Sequence, residues 1–157
     1  MERLPGEQKK YEFKDVRLGE FAIAGPGLSL VAESVDHSVI IVALDRKSNR
    51  KLLGNFAKVE ENAVFQEFLD QLAAENNEEL HVAVAGGRRT PNLRLNEDDA
   101  VLLREEVIEA LAHLNIVLPK ANIRWNTWES ELELLEIQFV KVDDNTIIIE
   151  DTIIKEN

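Results

Sequence analysis

Few side chains in this sequence are placed to do chemistry. The polar segment Glu33-Ser34-Val35-Asp36-His37-Ser38 stands directly before Val39–Leu44, the longest unbroken apolar run in the chain. Ser38 offers a hydroxyl nucleophile and His37 an imidazole, the usual base for such a group. Adjacent residues on an extended strand point to opposite faces, so the two can pair only through a turn. The residue pattern therefore favours a structural Ser38. A second candidate is the loop Gly86-Gly87-Arg88-Arg89-Thr90-Pro91 with Arg94. A basic loop just before a helix can bind a carboxylate or phosphate. It can equally pair with Glu97, Asp98 or Asp99 of the same chain, the reading we favour. As a surface it is the best candidate for a partner contact, with His37, Gly86, Gly87, Arg88, Arg89 and Arg94 as its residues.

Other groups read as structural. No two of His37, His81 and His113 share a ligand spacing on one element, so no metal site is expected. Cysteine is absent, which excludes disulfides, thiolate zinc sites and cysteine catalysis. Glu129, Glu131, Glu133 and Glu136 form an expected solvated face, because carboxylate catalysis needs a second acid held close with a separated pKa. Trp125 and Trp128 are expected to pack. No cofactor is implied.

The elements that must position these residues follow from periodicity. Six consecutive apolar residues at Val39–Leu44 read as a central strand buried on both faces. Before it, an edge strand is expected within Tyr11–Leu18, then short strands at Phe21–Ala24 and Leu28–Ala32, separated by the turn Gly25-Pro26-Gly27. After it, a polar hairpin loop at Asp45–Arg50 leads to a strand at Lys51–Ala57. Asn62 is placed to cap a helix whose apolar stripe is Phe65, Phe68, Leu69 and Leu72. Asn76-Asn77 is expected to end it in the left-handed conformation.

A strand at Leu80–Ala85 follows. Asn96 then opens a second helix striped by Leu103, Val107, Leu111 and Leu114, with Pro119 as its stop. Ile123–Trp128 reads as one strand. Glu131–Val142 changes phase at Leu134-Leu135, where a β-bulge would reconcile it. Val140–Val142, Asp143-Asp144-Asn145 and Thr146–Ile149 read as a hairpin.

The early strands follow one another without intervening helices, so the fold class is α+β. We expect a layered β-sandwich of mixed and antiparallel strands with two amphipathic helices packed on one side. Residues 1–10 read as a flexible leader and 11–157 as a single domain. The chain has 157 residues, enough to bury a core without metal or disulfide. Its net charge of −12 repels phosphate backbones and anionic lipid, so nucleic-acid and membrane partners are not expected. The first ten residues lack the apolar segment of a secretory signal, which makes the cytoplasm the expected compartment.

Three patches carry a resemblance. Gly19-Glu20-Phe21-Ala22-Ile23 forms an early strand, Val39–Leu44 runs into Asp45, and Val82-Ala83-Val84-Ala85 ends in Gly86-Gly87. Together with the long second helix and the C-terminal hairpin, this order resembles the chemoreceptor glutamine deamidases of bacterial chemotaxis (CheD-like proteins) over most of residues 16–150. The resemblance implies a cysteine nucleophile directly before the central strand and a histidine base on the next. Counted from Asp45, those positions fall on Ser38 and Asn55. A serine hydroxyl is a far weaker nucleophile than a thiolate. Asn cannot accept the proton, and a general base is worth about 10²–10⁴ in rate.

The implied function is that of a catalytically degenerate relative acting as a protein-binding module, its partner a signalling protein or receptor. One alternative is an active amidohydrolase using Ser38, with Asn55 as orienter or amide clamp. Another is a structural interaction domain unrelated to chemotaxis.

Overall fold

The computed structural model describes residues 12–33, 38–87, 99–128 and 133–155. In chain order the strands are β1 (Glu12–Asp15), β2 (Glu20–Ala24), β3 (Leu28–Glu33), β4 (Val39–Asp45) and β5 (Arg50–Phe56). Helix α1 (Ala63–Ala74), β6 (Leu80–Gly86) and α2 (Asp99–His113) follow. The chain closes with β7 (Ile123–Trp125), β8 (Thr127–Trp128), β9 (Glu133–Val142) and β10 (Ile147–Lys155).

Alternation along β4 explains the layering. All seven of its residues are buried. Ile40, Val42 and Leu44 enter one apolar cluster, and Val39, Ile41 and Ala43 enter another. A strand that is apolar at every position must be covered on both sides. Here one side is covered by a second sheet and the other by helices. The sheet containing β4 has the order β2-β5-β4-β6-β7, and the facing sheet the order β1-β3-β9-β10 with β8 also on β9. Leu30, Ala32, Ile137, Val140 and Val142 of the facing sheet fill the inter-sheet core. On the opposite side lie Phe65, Phe68 and Leu72 of α1 and Leu103, Val107 and Leu111 of α2. The expected α+β sandwich with both helices on one side is therefore what forms.

Local chemistry sets the helix ends. Asn62 caps α1 as expected, its side chain accepting from the N–H groups of Val64 and Phe65 at 3.0 and 3.2 Å. The other end differs from expectation. Glu75 ends the helix in the right-handed region (φ −92°), and neither Asn76 nor Asn77 is left-handed. Their amides are engaged elsewhere: Asn76 Nδ2 donates to the Leu114 carbonyl at 2.9 Å and Asn77 Nδ2 to Asp45 at 3.1 Å. The left-handed asparagine is Asn115 (φ 61°), directly beyond α2. It turns the chain so that Ile116 N–H returns to the Leu111 carbonyl at 3.0 Å, and α2 stops well before Pro119.

Two strand expectations are also corrected. Ile123–Trp128 is not one strand: it breaks at Asn126, where β7 leaves one sheet and β8 joins the other. The irregularity in β9 lies not at Leu134-Leu135 but at Gln138. Phe139 pairs with Glu150 and Ile137 with Asp151, so Gln138 is the extra residue. The Val140–Ile149 hairpin forms as read, its tip held by Asp143 Oδ1, which accepts from the N–H groups of Asn145 and Thr146 at 2.8 Å.

Candidate functional site

Ser38 and Asn55 sit at the same end of neighbouring antiparallel strands. Asn55 pairs with Ile40 across the β4–β5 ladder, and Ser38 is the residue before Val39. Alternation carries Ser38 to the side of Ile40 and Asn55 to the side of Leu53, and both of those belong to the inter-sheet core. Ser38 is 7% exposed and Asn55 5%. Asn55 Nδ2 donates to the Val16 carbonyl at 3.2 Å, while its Oδ1 has no hydrogen-bond partner among the described residues. An unmatched buried amide oxygen costs about 1–3 kcal/mol, which an apolar residue would avoid. The Ser38 carbonyl accepts from Gly87 N–H at 2.8 Å.

A serine needs a base, and the described imidazoles lie elsewhere. His81 pairs with Leu44, six residues along β4 from Ser38, or roughly 20 Å at the rise of a strand. His113 is exposed on α2, with Nε2 3.8 Å from Glu109. His37, Arg88, Arg89 and Arg94 lie outside the described residues.

Gly86 and Gly87 build a corner. Their φ angles of 97° and 63° belong to the left-handed region, which glycine enters without steric cost. A Cβ on Gly87 would also stand 2.9 Å from the Arg104 side chain. Arg104, which sequence reading passed over, is the residue the corner receives. Its Nε donates to the Gly87 carbonyl at 2.7 Å and its Nη2 to the Asn126 carbonyl at 2.8 Å. The guanidinium also lies 5.3 Å from the centre of the Trp125 ring, a cation–π distance. Asn126 is fully buried. Its N–H donates to the Gly86 carbonyl at 2.8 Å and its Oδ1 accepts from Ile137 N–H at 2.7 Å. The available signal was a cation beside the buried stripe of α2 and a lone amide between two tryptophans.

Two further polar clusters were not anticipated. Lys51 is fully buried, with its Nζ donating to the carbonyls of Gly25 at 2.8 Å and Asn49 at 3.1 Å and to the carboxylate of Asp144. Asp144 also accepts from Gly27 N–H at 3.0 Å. The Lys51 hydrogen bond, aided by Gly27, holds the Asp144 carboxyl below its ordinary pKa against the opposing effect of burial.

Asp45, at the end of β4, accepts from Lys47 N–H, the Ser48 hydroxyl and the Asn77 amide at 2.9, 3.0 and 3.1 Å. Burial acts to raise its pKa, but hydrogen bonds from Glu75 and these three groups outweigh that and leave it lowered. Glu75 is the complement: burial first, then its bond to Asp45, raises its pKa despite Arg50, whose Nη1 lies 2.5 Å from it. The two shifts are opposite in direction because the carboxyl groups face each other across one hydrogen bond. The pair fastens the end of α1 to the β4–β5 hairpin.

Among the described residues no group of three or more His, Asp or Glu side chains is placed to hold a metal ion. None of the described helices is long and apolar enough to cross a membrane. No protein-family model matches the chain, and no curated protein matches it as a relative.

Proposed function

We propose that this chain is a catalytically degenerate relative of the chemoreceptor glutamine deamidases and works as a protein-binding module in bacterial signalling. The observation that carries the reading is the Ser38–Asn55 pair. Two polar residues stand at the same end of neighbouring strands, Ser38 directly before β4 and Asn55 within β5, at the positions where the resemblance calls for a thiol and an imidazole. The amide at position 55 is bound to the Val16 carbonyl and cannot accept a proton. The sandwich with helices on one side agrees with the element order on which the resemblance rests.

Mass spectrometry of chemoreceptor fragments incubated with the purified protein tests this directly. The expected result is a measurable complex with no mass gain from Gln→Glu conversion. Conversion accompanied by ammonia release, and abolished by Ser38→Ala, would establish the active hydrolase instead. Absence of any complex with receptor or signalling fragments would leave an interaction domain unrelated to chemotaxis.

A further inference from the structure

The end of α1 is held by an arrangement with one carboxyl group more than its cation can neutralise. Glu75 closes the helix, and its side chain, only 12% exposed, reaches the hairpin between β4 and β5. Asp45, the last residue of β4, is buried there. Asp45 and Arg50 pair across the β4–β5 ladder, and Arg50 Nη1 lies 2.5 Å from Glu75. The Asn77 amide joins the two halves, donating to the Glu75 carbonyl at 2.9 Å and to Asp45 at 3.1 Å. Two facing carboxyl groups and one guanidinium therefore share a space largely closed to water.

Hydrogen-bond donors are divided unequally between the two acids. Asp45 receives the Lys47 N–H, the Ser48 hydroxyl and the Asn77 amide, as a buried carboxylate requires. Glu75 meets Arg50 and the facing Asp45. It also stands at the C-terminus of a helix, where the free carbonyls disfavour negative charge, and the last turn of α1 holds no basic residue. Glu75 is thus the acid that gains by carrying a proton, which it donates to Asp45. The upward direction of its pKa, set first by burial and then by Asp45, agrees. Other ionisable groups nearby are exposed: Arg46 and Lys47 of the hairpin loop, Asp70 of α1, Glu78 and Glu79 beyond it, and His81 of β6, which pairs with Leu44.

We propose that Glu75 works as a proton-operated latch, fastening the end of α1 to the β4–β5 hairpin while its carboxyl is protonated and loosening that hold once it ionises. Ionisation turns a hydrogen bond to Asp45 into the contact of two carboxylates, with Arg50 left to offset one of them. An acid that is more basic latched than free contributes stability below its free pKa, and the contribution fades as pH rises through the latched value. Asp45 sets the other limit, because its pKa is lowered and its contribution is lost as pH falls through that value. The hold is tightest between the two. The latch lies at the opposite end of β4 from Ser38. It goes beyond the deamidase-relative reading and stands or falls without it.

Amide hydrogen exchange of the full chain, followed by NMR from about pH 5 to about pH 8, tests the proposal. The reporters are Arg46 N–H, which donates to the Glu79 carbonyl at 3.2 Å, and Leu80 N–H, which donates to the Asn77 carbonyl at 3.1 Å. After the intrinsic rise of exchange with pH is divided out, their protection is expected to fall about tenfold for each pH unit by which Glu75 is more basic latched than free. Asn145 and Thr146, in the β9–β10 turn, are expected to show no such fall. Glu75→Gln keeps a donor toward Asp45 and an acceptor toward Arg50 but cannot ionise, so its protection stays level across the range. Glu78→Gln, at an exposed carboxylate on the same connection, leaves the fall in place. A carboxyl-carbon NMR titration of the wild-type protein places the Glu75 midpoint above the ordinary Glu value of about 4.3, and it needs no variant to fold. A fall that persists in Glu75→Gln, vanishes in Glu78→Gln or is shared by Asn145 and Thr146 would overturn the latch, as would a Glu75 midpoint at or below the ordinary value.

Discussion

Lys51 is the most consequential polar residue in the inter-sheet layer. Its ammonium is fully buried and is matched by two carbonyls and the Asp144 carboxylate. Burying a charge is tolerable only when its partners are in place. This contact ties β5 of one sheet to the β9–β10 turn of the other. Because the folded pKa of Asp144 is depressed, its contribution is present above the unfolded value. It is lost as pH falls through the folded one. Asp144→Asn is therefore expected to lower stability at neutral pH by about 1–2 kcal/mol, the smaller end being favoured by the partial exposure of the carboxylate. The deficit should shrink as pH falls below about 4, the ordinary Asp range. Urea unfolding of both proteins across that range checks it, and a deficit independent of pH would remove the ion pair as its cause. Lys51 was hard to read because it follows Arg50 at the end of a polar loop, where a lysine reads as exposed, and its carboxylate partner lies 93 residues away.

At the level of elements, the junction of β7 and β8 governs how the two sheets are joined. A single strand over Ile123–Trp128 would stay in one sheet. Asn126 interrupts it by using its main chain toward β6 and Arg104 and its side chain toward Ile137 of β9. Asn126→Ala leaves the N–H of buried Ile137 without this acceptor and is expected to cost about 1–3 kcal/mol. A denaturant midpoint unchanged by the substitution would refute that role. The helices were easier to read. Phe65, Phe68 and Leu72 recur at helical spacing, and Phe56 meets the first two edge-to-face at 5.1 and 5.6 Å. Their ends were less so. The left-handed asparagine proved to be Asn115 rather than Asn76 or Asn77, whose side-chain amides are engaged by the Leu114 carbonyl and the Asp45 carboxylate.

For the molecule as a whole, β4 is the central strand of its sheet and, like β5 and β6 beside it, contributes to both apolar layers. Its amides are bonded to β5 on one edge and β6 on the other. Such amides open only when both layers are lost, whereas edge strands open locally. Native-state hydrogen exchange is expected to show Ile40–Leu44 exchanging at the free energy of global unfolding, and β1 and the outer edge of β10 well below it. Exchange of β4 as fast as β1 would mean that the layers unfold independently.

The unbroken apolar run at Val39–Leu44 required cover on two sides, and the helical stripes and the Asp143–Asn145 turn followed from their own spacing. These are local matters: periodicity states which faces avoid water, and turn residues state where the chain reverses. What periodicity does not carry is the identity of the covering surface. That Ser38 and Asn55 face the same layer was implicit in strand alternation. That Lys51 meets Asp144 and that Arg104 fills the corner at Gly87 depended on how distant segments stack. A buried polar group is satisfied by whatever the topology brings within about 3 Å, and that distance is not written in residue order.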